Sequence, residues 1–393
     1  MTDLATIGFG REIFSPEHEA YRRSVRNFFQ REVEPNIRRW EADKSLSARE
    51  LMGAAGKAGL LCPGIPEEYG GGGGDMLHQM VLFEEHGYSQ AGAPLEAGLT
   101  IDAIAYTLLY SGTQAQKLEW LPRFASGEII SEIGLTESSG GSDTRGIKTW
   151  ARRDGDDYVI NGSKMWMANG PEINMILLVA KTEDETTGRQ GSTVFIVDVD
   201  KTPGVTAAKP TELLLKGAGV HGELFFDDVR VPARDILGGV PGKGLGNAYG
   251  LLAMGRLSNA ARWMAACELA LHMTVAYAAQ RQVSGQSVLD FQNTQFKLAG
   301  LKTEITVGRI FLDHLMSRLD DDRVDLEQAA MAKLWVSELE GRVMDECLQF
   351  FGGFGFADEF AISKMYAFAR VHRIYLGTSE IQKKIIAGGL KAS

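Results

Sequence analysis

Cysteine is scarce in this chain of 393 residues, and long apolar runs are absent. The three cysteines, Cys62, Cys267 and Cys347, are scattered and form no Cys-x-x-Cys pair, so neither a disulfide framework nor a cysteine zinc site is expected. Buried free thiols are the simpler interpretation, and no metal site is predicted. The absence of a cleavable signal and of an apolar run of about 18 residues predicts a cytoplasmic protein without a membrane span.

Basic residues are also fewer than acidic residues. The chain has 41 Lys and Arg residues against 51 Asp and Glu residues, which gives a formal net charge of −10. This balance argues against wholesale binding to nucleic acid or to an anionic membrane. An anionic ligand therefore needs a local cluster of basic side chains. Apolar residues make up 44% of the chain, enough for a large core, and the length allows two or three domains.

Helical patterns fill residues 1–130. The stretch 14–37 opens with Ser-Pro and repeats apolar residues on one face, which predicts a helix. Similar patterns cover 47–61, 78–88 and 94–111. The glycine run at 70–74 offers no side chain for packing, so a flexible turn is expected there. Together these patterns predict an N-terminal α-helical domain over residues 1–130.

Short runs rich in β-forming residues replace the helical patterns from residue 131 onward. They are separated by Gly, Pro and Asp, and they cover 154–162, 174–181, 192–199 and 222–232. Four or more strands without intervening helices predict a middle antiparallel β domain over residues 131–240.

Three long helical patterns follow, at 246–280, 289–318 and 325–351, and none contains proline. Long antiparallel helices with apolar stripes predict a four-helix-type bundle over residues 241–393. The glycine-rich run GGVPGKGLG at 238–246 lacks the ending of a phosphate-binding P-loop, so a loop before the first bundle helix is expected. The predicted fold class is therefore α+β, mostly α.

Three polar segments are candidates for a ligand site. TESSGGSD (136–143) offers hydroxyl groups and backbone N–H groups, which suit a phosphate or a polar ring edge. NGSKMWMANG (161–170) places Trp166 in a β region, where the core interpretation is favoured and stacking on a flat cofactor is the alternative. RVHRIYLGTSEIQKK (370–384) combines a glycine, two hydroxyls, a carboxylate and flanking bases, as a site for an anion would.

These segments occur in order with three others. They are ELFFDDVRVP (223–232), the pattern of Arg281, Gly285, Phe291 and Gln292, and QFFGGFGF (349–356). In this order and spacing they resemble the acyl-CoA dehydrogenase family along essentially the whole chain. Each motif is moderately specific by itself. Because the motifs occur together, stacking on a cofactor becomes the favoured interpretation of Trp166.

The resemblance implies a flavoprotein that binds FAD. Positions expected at the cofactor, several of them at the FAD of a neighbouring subunit, are Thr136, Ser142, Trp166, Arg281, Gln292, Gln349, Gly353, Thr378 and Glu380. A site shared between subunits implies an oligomer. A homotetramer built as a dimer of dimers is expected, with a heterotetramer as the alternative.

Several positions depart from the family pattern. Ala168 stands where a Thr would face the N5 and O4 region of the flavin, so a hydroxyl contact is lost although the backbone N–H remains. Ser284 stands where an aromatic residue is usual, and Ala367 and Phe368 replace an Arg-Asp pair. These departures affect contacts with FAD more than the fold.

The resemblance also implies α,β-dehydrogenation of an acyl-CoA thioester, with hydride transfer to flavin N5 and onward transfer to an electron-transfer flavoprotein or another acceptor. The base is usually a Glu at the position of Leu376 or an acid at the position of Gly255, and both residues are non-acidic here. Leu376 can still offer its backbone N–H to the thioester. Arg256 resembles a residue near the CoA group, and an intrahelical ion pair is its alternative.

One hypothesis is that a base elsewhere in the chain replaces the missing acid. Glu96, Leu99 and Ala103 share one helix face in a region that lines the acyl pocket of the family, so Glu96 is the best candidate. Its alternative is a solvated or capping Glu after Pro94. Asp102 lies on a different face and is a weaker candidate.

Three functions stay open at this point. An FAD-dependent acyl-CoA dehydrogenase with a relocated base is preferred. One alternative is a non-catalytic subunit of a heteromeric acyl-CoA dehydrogenase whose partner keeps a complete site. The other is a relative that needs no such base, such as an acyl-CoA desulfinase or a flavin monooxygenase.

Overall fold

The computed structural model describes residues 11–43, 47–91, 102–183, 188–209, 211, 213, 221–319 and 325–392. The chain folds into two compact units built from interleaved segments. Unit 1 contains residues 1–35, 76–93 and 253–393, and unit 2 contains residues 36–75 and 94–252. The division into three domains at residues 130 and 240 stays a prediction.

The described residues form eleven α-helices. They are α1 (Pro16–Phe28), α2 (Ile37–Asp43), α3 (Ala48–Lys57), α4 (Met76–Tyr88), α5 (Asp102–Ser111), α6 (Gln114–Ala125), α7 (Gly244–Gln280), α8 (Gln292–Met316), α9 (Leu326–Phe351), α10 (Ala361–His372) and α11 (Ser379–Ala392). Helices α7, α8 and α9 lie where the three long patterns predicted them, which confirms those predictions. The N-cap residue Ser15 forms a capping box at the start of α1, and a short π-helix, Phe29–Val33, follows α1.

Unit 1 buries a network of charges that the sequence patterns did not reveal. The fully buried carboxylate of Glu84 on α4 bonds the guanidinium groups of Arg11 at 2.8 Å, Arg22 at 3.0 Å and Arg309 at 2.7 Å. Burial raises the pKa of Glu84, but the three positive charges outweigh burial and hold that pKa well below its ordinary value. Because an unpaired buried charge is costly, the network restricts how the helices of unit 1 pack.

The described residues also form nine strands. They are β1 (Ser131–Gly134), β2 (Trp150–Asp154), β3 (Asp157–Ala168), β4 (Met175–Glu183), β5 (Gln190–Asp198), β6 (Val205–Ala207), β7 (His221–Pro232), β8 (Gln282–Val283) and β9 (Gln286–Ser287). The first seven make one sheet in the order β1-β4-β2-β3-β7-β6, with β5 paired to β4. Strands β8 and β9 form a separate hairpin.

The predicted α+β class is confirmed, but the sheet is mixed and not purely antiparallel. Strands β1 and β2 both run parallel to β4, whereas β3, β5 and β7 make antiparallel pairs. A parallel pair requires a long connection between its strands, and here residues 135–174 separate β1 from β4 and residues 155–174 separate β2 from β4. The buried face of the sheet is lined by Ile160, Leu178, Phe195 and their neighbours.

The glycine run at 70–74, predicted to be a flexible turn, is instead an ordered turn. Its backbone N–H groups donate to carbonyl groups of residues 62–67, so the segment is pinned along its length. A Cβ on Gly71 would lie 2.1 Å from the carbonyl oxygen of Ile65. Glycine is therefore required here because the chain folds back against its own backbone.

Two further predictions can be compared with the structure. Cys62, Cys267 and Cys347 are buried and free, as predicted. The helical pattern at 94–111 corresponds to α5 from Asp102 onward, and residues 92–101 lie outside the described residues. Within the described part of the chain, no helix combines the length and apolar character needed to cross a membrane.

Candidate active site

Hydrogen bonds to Glu137 hold the loop 135–149 of unit 2, called here the hydroxyl loop, in place. The Glu137 carboxylate accepts hydrogen bonds from Thr149 N–H at 2.9 Å, the Thr149 hydroxyl at 2.7 Å and the ammonium of Lys164 at 2.7 Å. Burial raises the pKa of Glu137, but these donors lower it to about 2 overall. The loop is thus anchored, while its middle at 138–143, including Ser142, is exposed and Thr136 is half-buried.

Trp166 lies on an irregular part of β3. The register between β3 and β7 shifts between Lys164 and Met167, and Trp166 has a left-handed backbone with φ of 62°. Its side chain is 53% exposed, whereas Met167 and Ala168 are buried. The core interpretation of Trp166 is therefore wrong, and the irregular segment around it, called here the Trp166 bulge, leaves about half of the indole side chain exposed.

A carboxyl group lies at the Trp166 bulge. Glu132 on β1 accepts a hydrogen bond from its neighbour Ile133 N–H at 2.9 Å, and the nearby Ala168 N–H of β3 also favours its charged form. Burial raises the pKa of Glu132 to about 7, although the two N–H groups oppose that rise. A carboxyl group with such a pKa can exchange a proton near neutral pH, and the sequence-based prediction did not identify it.

In unit 1, Leu376 and Gly377 form a left-handed turn with φ of 55° and 90°. Their carbonyl groups accept hydrogen bonds from buried side chains. Arg256 donates to the Leu376 oxygen at 3.1 Å, Lys333 donates to the Gly377 oxygen at 2.9 Å, and Gln382 donates to both. Among the described residues, none accepts a hydrogen bond from the backbone N–H of Leu376.

Two of the three groups that hold this turn, Arg256 and Lys333, are cationic as well as buried. Burial, together with the nearby charge of Arg256, lowers the pKa of Lys333 to about 8 despite the opposing effect of Glu338 and Glu380. Arg256 therefore contacts the backbone of the turn rather than forming the alternative intrahelical ion pair. The same turn brings Leu376 into contact with Gly255, the second position at which an acid was expected.

Three of the predicted cofactor positions line one groove in unit 1. Arg281, Gln349 and Gly353 line an open groove of about 410 Å³, together with aromatic residues that include Tyr277 and Phe351. A Cβ on Gly353 would meet no atom within 4 Å, so the groove is open above this residue. Gln292 is exposed at the first position of α8 and is not among the lining residues.

The departure at Ser284 has a local explanation. Ser284 and Gly285 form the turn between β8 and β9, and both have positive φ, 51° and 82°. Two-residue hairpin turns of this kind favour small or polar residues and disfavour bulky ones. Arg281 immediately precedes β8, the first strand of this hairpin.

Thr378 and Glu380 lie at the start of α11. The Thr378 hydroxyl accepts the Ile381 N–H at 3.4 Å, and the backbone N–H of Glu380 and the Thr378 hydroxyl lower the pKa of the Glu380 carboxyl. Both side chains thus have a local helix-capping role. Their contact with FAD stays a prediction, as do the roles of the other predicted site residues.

Some predicted residues cannot be placed, and some functional candidates were missed. Glu96 and Leu99 lie outside the described residues, whereas Ala103 is half-buried on α5. The missed residues are Glu132, Glu137, Lys164 and Lys333. Glu132, Lys164 and Lys333 share a signal, a charged residue inside a strand or helix with apolar neighbours, which is rare without a buried partner. Glu137 lies in the polar hydroxyl loop and carries no such signal.

Family models match three stretches of the chain. The N-terminal, middle and C-terminal domain models of acyl-CoA dehydrogenase match residues 15–128, 132–229 and 242–391. Long-chain specific acyl-CoA dehydrogenase of Mus musculus is 39% identical over 385 residues, which cover 98% of this chain and 88% of that protein.

Two solved structures are similar over nearly the whole chain. An acyl-CoA dehydrogenase from Geobacillus kaustophilus has a TM-score of 0.90 and 33% identity, covering 97% of this chain and 99% of the other. A glutaryl-CoA dehydrogenase from Mycobacterium smegmatis in complex with FADH2 has a TM-score of 0.86 and 28% identity, covering 97% and 96%.

Proposed function

Because this chain belongs to the acyl-CoA dehydrogenase family, we propose that it removes the α and β hydrogens of an acyl-CoA thioester in an FAD-dependent reaction. The observation that carries the proposal for this chain is the turn at Leu376 and Gly377. Three buried donors hold its carbonyl groups, and the Leu376 N–H is left available to a ligand. A backbone N–H fixed in this way suits the carbonyl oxygen of a thioester.

Two separate places on this chain suit FAD. The exposed indole of Trp166 in unit 2 offers a stacking face. The groove at Arg281 in unit 1 offers a guanidinium and the open backbone of Gly353 to the FAD of a neighbouring subunit. FAD supplies the hydride acceptor when it is bound. The hydroxyl loop, anchored by Glu137, would present Thr136 and Ser142 to the cofactor.

The thioester must be polarised before its α proton becomes acidic enough to leave. The Leu376 N–H would donate to the thioester oxygen, and no acceptor among the described residues competes for it. Arg256 and Lys333 support the donor by fixing the carbonyl groups on the other side of the turn. The Leu376 side chain cannot accept a proton, and neither can Gly255.

Glu96 stays our proposed relocated base, with Leu99 and Ala103 lining the acyl group. The relatives named above are dehydrogenases, so the non-catalytic, desulfinase and monooxygenase alternatives are not favoured. An electron-transfer flavoprotein is the proposed acceptor of electrons. A cytoplasmic location is likewise proposed.

We also propose a homotetramer. Helix α8 exposes Phe296, Val307 and Ile310, which are 66%, 56% and 58% accessible and have helical spacing. Exposed apolar faces of this kind commonly mark interfaces between subunits. Mass measurement of the purified protein in solution tests the assembly, and a stable monomer would contradict the tetramer. Co-purification of a second homologous chain would instead indicate a heterotetramer.

The enzymatic proposal is tested with the purified holoprotein. We expect the flavin absorbance to bleach when straight-chain and branched acyl-CoA thioesters are added without oxygen. Glu96→Gln should slow bleaching by about 10²–10⁴ while FAD stays bound. Unchanged bleaching in Glu96→Gln would reject Glu96, whereas a protein that binds FAD but is never bleached would reject dehydrogenation.

A further inference from the structure

A buried pair of polar side chains in unit 1 lies just before the turn at Leu376 and has no role in the chemistry proposed above. Glu340 on α9 and His372, the last residue of α10, are 2% and 4% exposed. The Glu340 carboxylate accepts a hydrogen bond from Nδ1 of His372 at 2.5 Å. Because an ionised carboxylate can only accept, this bond fixes both the tautomer and the orientation of the imidazole ring.

The imidazole ring of His372 belongs to an aromatic cluster that contains the residue before Leu376. It stacks on Trp263 of α7, with ring centroids 4.5 Å apart and an angle of 17° between the planes. Tyr375 lies edge-on to both rings, 5.6 Å from His372 and 5.8 Å from Trp263. Arg262, also on α7, donates to the Tyr375 hydroxyl at 3.2 Å. The Tyr375 side chain is thus held by α7 and α10, and α10 is held by α9.

The same helices hold the backbone on the other side of Leu376. Arg256 and Trp263 are seven residues apart on α7, and Lys333 and Glu340 are seven residues apart on α9. Residues seven apart lie on one face of a helix. From these two faces, Arg256 and Lys333 donate to the carbonyl groups of the turn, whereas Trp263 and Glu340 contact the segment before it.

The two sets of contacts fix different peptide planes. The carbonyl groups that Arg256 and Lys333 hold belong to the planes that follow Leu376. The Leu376 N–H belongs to the preceding plane, which links Tyr375 to Leu376, because each peptide unit is rigid from one Cα to the next. Contacts with the carbonyl groups alone therefore leave the direction of this N–H to the residue before it.

We propose that His372, oriented by Glu340, is a positioning residue that holds the Tyr375 ring and thereby sets the direction of the Leu376 N–H. The inference rests on the proposed function, in which this N–H donates to the thioester oxygen. A donor stabilises the developing negative charge fully only when it already points at the oxygen before the reaction begins. The buried pair acts on the rate through Tyr375 and does not touch the substrate.

The test removes both partners together. A single substitution of His372 leaves the Glu340 carboxylate buried without its donor, which destabilises the fold. The double variant Glu340→Leu with His372→Phe keeps an aromatic ring and leaves no unpaired charge. We expect it to fold and to bind FAD, with kcat lowered about tenfold because the donor is misdirected. KM for the acyl-CoA should stay within about twofold, since the donor acts mainly in the transition state.

Two further variants separate positioning from general stability. Glu340→Gln keeps an oxygen that accepts from His372, so its kcat should stay within about twofold of wild type. His86→Phe is the matched control, because His86 of α4 is a histidine of unit 1 that is 1% exposed and stacked on Phe29 at 5.6 Å. It should change Tm without lowering kcat.

Polarisation of the thioester is measured directly in the holoprotein. Infrared difference spectra are recorded with trans-2-octenoyl-CoA labelled with ¹³C at the thioester carbon, a ligand already dehydrogenated between its α and β carbons. In wild type, the carbonyl stretching frequency should fall on binding, because a donor polarises the bond. In the double variant, this shift should shrink to half or less.

The order of the turn is measured without cofactor or substrate. The N–H groups of Ile374 and Tyr375 donate to the Val371 carbonyl at 2.8 and 3.2 Å. Their hydrogen exchange, followed by mass spectrometry, should be about tenfold faster in the double variant, because local opening no longer breaks the aromatic cluster. Exchange in α1 should not change.

The outcomes separate this inference from the proposed function. Unchanged kcat in the double variant, or an equal carbonyl shift in both proteins, overturns the positioning role. An equal loss of kcat in His86→Phe attributes the effect to stability and overturns it as well. If wild type is never bleached and does not lower the carbonyl frequency, the proposed function fails and the effect on rate fails with it. The exchange data then still decide whether the buried pair orders the turn.

Discussion

The side chain of Leu376 packs over Gly255, so that a Cβ added to the glycine would lie 3.6 Å from Leu376 Cδ2. These are the two alternative positions at which the family pattern predicts the base, and neither residue is acidic in this chain. Because a distance of 3.6 Å is ordinary van der Waals contact, a Cβ at position 255 would not require the backbone to move.

An acid placed at this contact should rescue dehydrogenation when Glu96 is removed. We expect Gly255→Glu or Leu376→Glu, each introduced into Glu96→Gln, to increase acyl-CoA-dependent flavin bleaching by about 10²–10⁴, the usual contribution of a general base. Leu376→Glu keeps the left-handed backbone that Leu376 already has. The rate is measured by anaerobic stopped-flow absorbance at saturating acyl-CoA.

Gly255→Gln and Leu376→Gln are the matched controls, because an amide has nearly the shape of the acid and cannot act as the base. If neither Glu variant bleaches the flavin faster although FAD and acyl-CoA bind normally, the missing base is not what limits the rate. An equal gain in the Gln variants would attribute the effect to shape.

The pair of Glu137 and Lys164 should behave as a coupled unit. Lys164→Met leaves the Glu137 carboxylate without its ammonium partner, and Glu137→Gln leaves the lysine without its carboxylate. Breaking one partner of a buried pair typically costs about 3–5 kcal/mol. The double variant should lose less than the sum of the two single losses, which a double-mutant cycle in urea measures. Additive losses would contradict the coupling.

Acid should weaken the anchor of the hydroxyl loop. The pKa of Glu137 is lowered to about 2 in the folded protein, so its stabilising effect is present above the unfolded value and is lost as pH falls from about 4.5 toward 2. Glu137→Gln should show a flatter loss of Tm over this range than wild type. Parallel curves for the two proteins would show that Glu137 does not titrate as its hydrogen bonds indicate.

The groove at Arg281 should bind FAD through its guanidinium group. We expect Arg281→Met to weaken FAD binding by about tenfold or more, because a charge-assisted fork to phosphate is lost. Arg281→Lys should recover only part of the affinity, since a lysine keeps the charge and lacks the fork. Fluorescence titration of apoprotein with FAD measures both, and Arg234→Met is the control because Arg234 is a highly exposed arginine of unit 2.

Two helical glycines of unit 1 should respond oppositely to alanine. A Cβ on Gly87 of α4 would lie 2.1 Å from the Arg262 carbonyl oxygen, so Gly87→Ala must displace backbone and should destabilise the protein by about 1–3 kcal/mol. A Cβ on Gly388 of α11 would meet no atom within 4 Å, so Gly388→Ala should be stabilising by about 0.5–1 kcal/mol. Urea unfolding measures both values, and equal effects would contradict the close packing at Gly87.

The sequence determined the elements and their order because local periodicity is strong in this chain. The long helices α7, α8 and α9 carry unbroken apolar stripes, and the strands around Ile160, Leu178 and Phe195 carry alternating or buried β patterns. The motif order also determined the family. These features depend on neighbours within a few turns of the chain, so reading along the sequence is sufficient to find them.

Tertiary structure decided the features that depend on distant segments. The parallel pairing of β1 with β4, the ordered turn at Gly71 and the exposure of Trp166 all depend on which backbone lies opposite each residue. The pKa of Glu132 likewise depends on the burial that folding imposes and on the nearby N–H of Ala168, which follows it by 36 positions in the sequence. Burial and partners shift a pKa, and neither can be known before the chain has folded.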